Sequence, residues 1–174
     1  MTGAAEVLRR QWQVSGERLE QRLAGLTDAE FFWAPAAPVW TVRPDPARPD
    51  RWQIDYDWPP PAPAPLTTIA WRLVHLANGN QIYWEHAFGP GVRNFLDLEV
   101  PGSADEAIAY WRESCEPISS WLEKATDEQL PELRPSHHGA DRSAGDVVMT
   151  LIDEQTHHGA EIALLRDLHP RLVS

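Results

Sequence analysis

Residues 153–168 read Asp153-Glu154-Gln155-Thr156-His157-His158-Gly159-Ala160-Glu161-Ile162-Ala163-Leu164-Leu165-Arg166-Asp167-Leu168. At about 100° per residue, Val147, Leu151, Ile162 and Leu165 fall on one apolar stripe of a helix. Glu154 and His158 lie inside that stripe, and Glu161 and His157 stand at its edge. A carboxylate and an imidazole one turn apart on a core-facing stripe carry a high desolvation cost unless something pairs with them. Two arrangements answer that cost: a mutual hydrogen bond, or a shared metal ion.

Length and composition narrow what surrounds this stretch. The 174 residues suit one domain spanning 1–174, and they suffice to bury a substantial core. Hydrophobic residues make up 43% and nine are Trp, so the chain is a folded globule and not a polar tail. The formal net charge of −11 argues against a nucleic-acid phosphate surface, which needs basic patches. No run of about 18 apolar residues marks a membrane span. The first residues, Met1-Thr2-Gly3-Ala4-Ala5-Glu6, lack a basic segment followed by an apolar one, so no signal peptide is expected. A single Cys115 excludes an internal disulfide and a Cys-based zinc site, and a reduced cytoplasm is the simplest location.

Four long helical patterns precede or include the opening stretch. The first runs from Ala4 to Ala24, with Val7, Leu8, Trp12, Leu19 and Leu23 at helical spacing and Gly25 ending it. Thr27 to Glu30 resembles a capping box opening a short turn, and Phe31, Phe32 and Trp33 plug one end of the core. Residues 34–65 are rich in Pro and carry Trp40, Trp52, Tyr56 and Trp58. They read as an ordered loop wrapped over the bundle, because each docked ring gains several kcal/mol of burial (on the order of 2–3). Thr67 is the expected N-cap of the second helix, Thr68 to Phe88, which Gly89-Pro90-Gly91 ends. Ser103 to Glu106 reads as a second capping box. It opens a third helix to about Ala125, which Pro117 kinks near Cys115. After a box at Thr126 to Gln129 and a polar loop from Pro131 to Asp141, Ser143 or Asp141 caps the last helix. That helix is expected to end near Leu168, before Pro170. The sum is an all-α four-helix bundle with a long Pro/Trp-rich loop between helices 1 and 2. Such a loop can span the bundle, so helices 1 and 2 need not be antiparallel neighbours.

Glu154 and His158, at i and i+4, can converge on one ion. The third ligand must come from another helix. His75 is the best placed: inward by phase, mid-helix, with Gly79 leaving space one turn on. Three N and O donors with an open position would make a catalytic site. The bland alternative is a hydrogen-bonded Glu154–His158 pair with His75 a satisfied core histidine. His157 and Glu161 read as an exposed i, i+4 pair, or Glu161 as an acceptor orienting His158 or His75. His86 lies about 16 Å along the axis from His75 and cannot share its ion. The His137-His138-Gly139-Ala140 echo of His157-His158-Gly159-Ala160 reads as coincidence, and Cys115 as inert packing. No phosphate loop, nucleophile elbow or dinucleotide fingerprint occurs.

The last helix, with His157-His158-Gly159-Ala160-Glu161-Ile162 and Leu164-Leu165-Arg166-Asp167-Leu168, resembles the closing motif of the DinB-like superfamily. Thr67 to Leu76 resembles its second-helix motif, and Leu26 to Trp33 and the Trp-rich loop also fit. The likeness covers nearly the whole chain and is nearest to actinobacterial versions. It implies an up-down-down-up bundle, often a homodimer. It also implies a divalent metal, commonly zinc or nickel, held by three His. His75 and His158 match two of these, and the third falls on Glu154. Relatives include transferases using a low-molecular-weight thiol such as bacillithiol or mycothiol. By that resemblance His75, Glu154 and His158 hold the ion, Glu161 or His157 moves a proton, and Arg72 with the Trp-rich loop binds the cofactor or a small-molecule substrate. The competing expectation is a metal-free ligand-binding or stress-response module that keeps the bundle without catalysis.

Overall fold

The computed structural model describes residues 2–173. Its frame is four long helices: α1 (Ala4–Leu23), α3 (Ile69–Phe88), α4 (Ala104–Leu122) and α5 (Ala144–Leu172), with a short α2 (Asp28–Phe31) after α1. α1 packs on α5 and α4, and α3 packs on the same two, so α1 and α3 stand at opposite corners. Cross-links give the directions. Trp12 Nε1 donates to Ser119 Oγ at 2.9 Å and Arg112 pairs with Glu20, so α1 and α4 run antiparallel. Gln155 reaches Ser15 while Arg22 reaches Ala163, so α1 and α5 run parallel.

The core forms two apolar clusters. One gathers Leu19, Leu23, Phe31, Leu73, Leu76 and Ile162. The other gathers Trp12, Ile118, Leu122, Val148 and Leu151. Buried polar groups from all four long helices lie between them: Ser15, Asn80, Ser114 and Gln155. These bond one another in pairs, Gln155 to Ser15 at 2.8 Å and Asn80 to Ser114 at 3.1 Å, which lowers the cost of burying them.

Sequence-local chemistry sets most boundaries. Thr27 and Glu30 form the full capping box of α2, and Ser143 caps α5 by accepting from Asp146 N–H at 3.0 Å. Gly25 takes φ of +68° just past α1, where a side chain would be strained. Other boundaries differ from the expectation. Thr68, not Thr67, caps α3, because the backbone of Thr67 is used in strand pairing with Trp40. Ser103 caps α4, but Glu106 turns to the N–H of Gly102 instead of closing a box. α4 ends at Leu122, short of Ala125. α5 runs through Pro170 to Leu172 instead of stopping at Leu168. Pro170 falls in the last turn, where few further hydrogen bonds remain to be lost.

The chain is mostly helical but not all-α. Residues 34–65 carry a hairpin of β2 (Val42–Asp45) and β3 (Arg48–Ile54). β1 (Val39–Trp40) pairs in parallel with β4 (Leu66–Thr67), and β5 (Leu133–Arg134) with β6 (Arg142–Ser143) closes a small loop before α5. Pro44 and Pro49 are tolerated because both strands of a two-stranded ribbon are edges. Asp45 closes the hairpin turn by accepting from Ala47 N–H at 2.8 Å and Arg48 Nε at 2.7 Å. Val42 and Ile54 enter the core, and Trp52 stacks on Phe32 with ring centres 5.6 Å apart. Trp58 is the exception among the loop aromatics, at 78% exposed. No helix among the described residues is long and apolar enough to cross a membrane.

Two ionic clamps hold helix ends. Arg166 of α5 donates to the carbonyls of Arg22 and Ala24, closing the end of α1, and pairs with Glu30. Glu85, buried near the end of α3, accepts from the N–H groups of Arg93 and Val92 at 3.0 Å each and pairs with the Arg93 guanidinium. The Arg93 and Val92 amides and that guanidinium outweigh burial and hold its carboxyl at about 2. A folded-state pKa depressed below the ordinary carboxylate value of about 4.3 adds stability above that pH, lost as pH falls toward about 2. Glu85→Gln should therefore be less stable than the parent chain in urea at pH 7, with the difference shrinking steadily below about pH 4. A difference that stays constant down to pH 2.5 would mean the carboxylate is not the stabilising element.

Candidate metal centre

The site forms where α3 meets α5. His75 Nε2 lies 3.4 Å from Glu154 Oε2, and His158 Nε2 lies 3.3 Å from the same oxygen. The imidazoles face each other edge-on, ring centres 5.0 Å apart and planes at 84°. The three donor atoms all lie within 4.8 Å of one another. Ligands at about 2.0–2.1 Å around a tetrahedral zinc ion are separated by about 3.3 Å. The two nitrogen–oxygen separations match that edge and are long for direct hydrogen bonds, whose usual N···O length is about 2.9 Å. The donor set, two imidazole nitrogens and a carboxylate oxygen, also suits a borderline divalent ion.

Different elements fix each side chain. His158 is buried on α5, and its Nδ1–H donates to Glu161 Oε2 at 2.7 Å. That bond sets the tautomer and turns Nε2 toward Glu154. Glu161 is itself held by an ion pair with Arg72 from α3. His75 has no such partner: its Nδ1 is buried without one. Ring stacking holds it instead, with Trp71 4.6 Å away and nearly parallel at 10°. The Trp-rich loop in turn clamps Trp71. Trp71 Nε1 donates to the Asp55 carbonyl at 2.6 Å, Trp40 packs 5.8 Å from its ring, and the Thr41 and Thr68 hydroxyls bond at 2.9 Å. Phe95, from the 3₁₀ turn Phe95–Asp97, packs 5.5 Å from His75 and stacks on Tyr56 at 4.7 Å. A Cβ built on Gly79 would meet nothing within 4 Å, so open space lies one turn along α3 from His75.

His75, Glu154, His158, Glu161 and Arg72 thus come together. His157 does not join them in the expected way. It is exposed and bonds its own helix carbonyl, Asp153 O, through Nδ1 at 3.0 Å. The expected His157–Glu161 ion pair is replaced by Glu161 turning to Arg72 and His158, since a guanidinium across the helix interface is the stronger partner. Donor atoms of His157, His158 and Glu161 also fall within 4.8 Å of one another, but Glu161 is already ion-paired with Arg72 and His157 is exposed. Arg72 is half-buried and pairs with Glu161 through Nη1. His137 and His138 lie apart from the centre, around Tyr83 and His86. Burial raises the Cys115 thiol to about 12, which fits inert packing. Tyr56 belongs to the Trp-rich loop expected over this site, whereas nothing in the sequence points to Phe95. The i, i+4 spacing of Trp71 and His75 puts Trp71 on the same face as the ligand.

Electrostatics divides the two imidazoles. Burial lowers the His75 pKa, more than Glu154 raises it, so this ring is neutral. Burial also opposes charge on His158, but Glu154 and Glu161 outweigh it and raise its pKa. Burial would raise Glu154, yet the His158 and His75 rings hold it below the carboxylate range. With no ion bound, the pair His158⁺–Glu154⁻ therefore compensates itself. A raised His adds stability below its unfolded pKa of about 6.5, lost as pH rises; a depressed Glu adds stability above about 4.3, lost as pH falls. Chelator-treated protein should owe most to the His158–Glu154 pair between about pH 4.3 and 6.5, with the lowered pKa of His75 offsetting part of that gain as pH falls below about 6.5. In Glu154→Gln the His158 ring, followed by NMR, should titrate at lower pH than in the parent chain. An unchanged His158 titration would show that Glu154 does not set its charge.

Comparison with known proteins is consistent with this geometry at the level of fold. Residues 54–162, which include His75, Glu154, His158, Glu161 and Arg72, match the family described as the DinB superfamily. No curated protein matches the chain. Among solved structures, a DinB-like protein from Bacillus cereus ATCC 10987 is similar at a TM-score of 0.64 and 18% identity, over 98% of this chain and 95% of that one. A conserved protein from Enterococcus faecalis is similar at 0.58 and 15% identity, over 97% of this chain and 98% of that one. At such identities these likenesses show the fold alone. The family match covers well over half of the sequence, and the chain belongs to the DinB superfamily.

Proposed function

We propose that this chain is a divalent-metal-dependent enzyme, holding zinc or nickel through His75, Glu154 and His158 and transferring a low-molecular-weight thiol such as mycothiol to a small-molecule substrate. The observation carrying this reading is the convergence of three donor atoms from two helices, at 3.3 and 3.4 Å from one carboxylate oxygen. When bound, the ion supplies a Lewis acid that lowers the pKa of a coordinated thiol. Glu161 keeps the Nδ1 proton on His158, so that Nε2 presents a lone pair. Arg72 holds Glu161 in place and orients the cofactor side of the centre. Trp71, Phe95 and Tyr56 exclude water around His75. Glu161 or the exposed His157 carries protons between the centre and solvent.

The wider assignment rests on the same family likeness. We read the bundle as up-down-down-up, supported by the helix directions, as one domain, and as an actinobacterial-type member acting in the cytoplasm. Exposed Val7 on α1 and Met149 and Leu164 on α5 supply apolar surface for a homodimer.

A second reading is favoured by one observation: protonated His158 already compensates Glu154, so the cluster is stable without an ion. On that reading the bundle is a metal-free ligand-binding module. Tag-free protein dialysed against zinc or nickel separates the two. The enzyme reading predicts about one bound ion per chain, lost in His75→Ala, Glu154→Ala and His158→Ala, and weakened about 10- to 100-fold in Glu161→Gln. Glu154→His should tighten zinc or nickel binding. Metal content unchanged in all three alanine variants, or no thermal stabilisation by either ion, would leave the metal-free reading.

A further inference from the structure

Two arginines on the hairpin before α5 are unevenly compensated. β5 and β6 set Arg134 directly opposite Arg142. Opposite residues of an antiparallel pair share a face, and like charges there repel. Arg134 is answered twice: it pairs with Glu132, and its guanidinium lies over the Phe88 ring, 4.9 Å from the centre. Arg142 is half-buried, yet no carboxylate among the described residues pairs with it. Its bond within the protein is long and open to solvent, Nη2 donating to the Asp146 carbonyl at 3.4 Å. In a chain with 26 acidic and 15 basic side chains, a half-buried guanidinium left without a carboxylate is set to receive an anion from outside.

Tyr83 of α3 faces the same place. Burial and then Glu154 raise the pKa of its phenol, and Arg142 works against them, so the ring lies within reach of both charges. The Tyr83 hydroxyl stands 3.3 Å from Nε2 of the exposed His138, a long contact open to solvent that a better acceptor can replace. His137 packs edge-on against Tyr83, ring centres 4.5 Å apart. Burial pushes the His137 pKa down to about 4, so this ring is neutral near pH 7 and adds no charge. The free cation beside Tyr83 is therefore Arg142. His75, Gly79 and Tyr83 follow one another at i+4 steps, each turned about 40° from the last, and Tyr83 lies about 12 Å along α3 from His75. A Cβ on the half-buried Gly79 would meet nothing within 4 Å, so the helix surface between the metal centre and Tyr83 is open.

We propose that Arg142 and Tyr83 form a carboxylate site, the guanidinium pairing with the two oxygens and the Tyr83 hydroxyl donating to one of them, for a small organic acid whose remainder lies over Gly79 toward His75. One planar fork and one hydroxyl match a carboxylate and leave the third oxygen of a phosphate unmet. The carboxylate site stands by itself. That the far end of the acid reaches the ion, which makes the acid the substrate, rests on the enzyme reading above.

Benzoate is the probe and benzyl alcohol its uncharged control. Each is titrated into the dialysed, metal-free full chain, where no ion can hold the carboxylate, and followed by ligand-observed NMR. Saturable benzoate binding that weakens as salt rises is expected, with none for benzyl alcohol. Arg142→Gln should weaken benzoate at least about tenfold, Arg142→Lys less, and Tyr83→Phe about threefold. Arg142→Gln should also unfold at no lower urea concentration than the parent chain, because it relieves the repulsion from Arg134. His75→Ala should bind benzoate as the parent chain does, so failure of the metal reading leaves this result untouched. No saturable benzoate binding to the parent chain would overturn the proposal, as would inorganic phosphate bound in preference to benzoate. So would equal affinity in folded Arg142→Gln, or a lower urea midpoint there, which would make the arginine a support of the hairpin. Unchanged affinity in Tyr83→Phe would overturn it as well, which keeps the test decisive if Arg142→Gln does not fold.

Discussion

A carboxylate carried into the seam between two helices must be compensated, and Glu154 meets an imidazole from each. His158 on its own helix and His75 on α3 bracket a single oxygen of Glu154. Whether the compensating charge is a proton on His158 or a divalent ion, the three side chains must be held together against their desolvation. Much of the surrounding structure serves this placement. α5 carries two of the three groups and packs on both α1 and α3. Arg72 of α3 locks Glu161, which locks the ring of His158.

The Trp-rich loop takes its meaning from the same constraint. His75 lacks a hydrogen bond at Nδ1 and depends on the flat face of Trp71. Trp71 depends on the carbonyl of Asp55, on Trp40 and on the strand pairing that brings residues 39–40 beside residues 66–67. A segment distant in sequence thereby sets the orientation of one of the three donors. Glu154 also explains how the centre can exist without an ion. With a third imidazole in its place, the cluster would bring together three neutral or mutually repelling groups. With a carboxylate, it holds an internal ion pair that a metal must displace, releasing the proton on His158 Nε2.

Much of this was legible from residue order. The 3.6-residue period located all four long helices, and the phase of Glu154, His158 and His75 placed them inward on two elements that do meet. Thr27 and Ser143 were readable as caps because capping is local. Long-range competition was not readable. Spacing on one helix paired Glu161 with His157, while a guanidinium from α3 took the carboxylate. The strands at 39–54 were hidden because Pro interrupts the usual alternation, and an edge ribbon tolerates it. Thr67 and Thr68 are equally good caps by type, and only the pairing with Trp40 decides between them.

X-ray absorption on tag-free protein loaded with one equivalent of zinc, after extensive dialysis, tests the centre most directly. Two imidazole nitrogens and a carboxylate oxygen at about 2.0–2.1 Å, with one imidazole missing in His75→Ala, is the predicted spectrum. Zinc lost on dialysis, or a shell of water oxygens that does not change in His75→Ala, would mean that Glu154 and His158 simply neutralise each other.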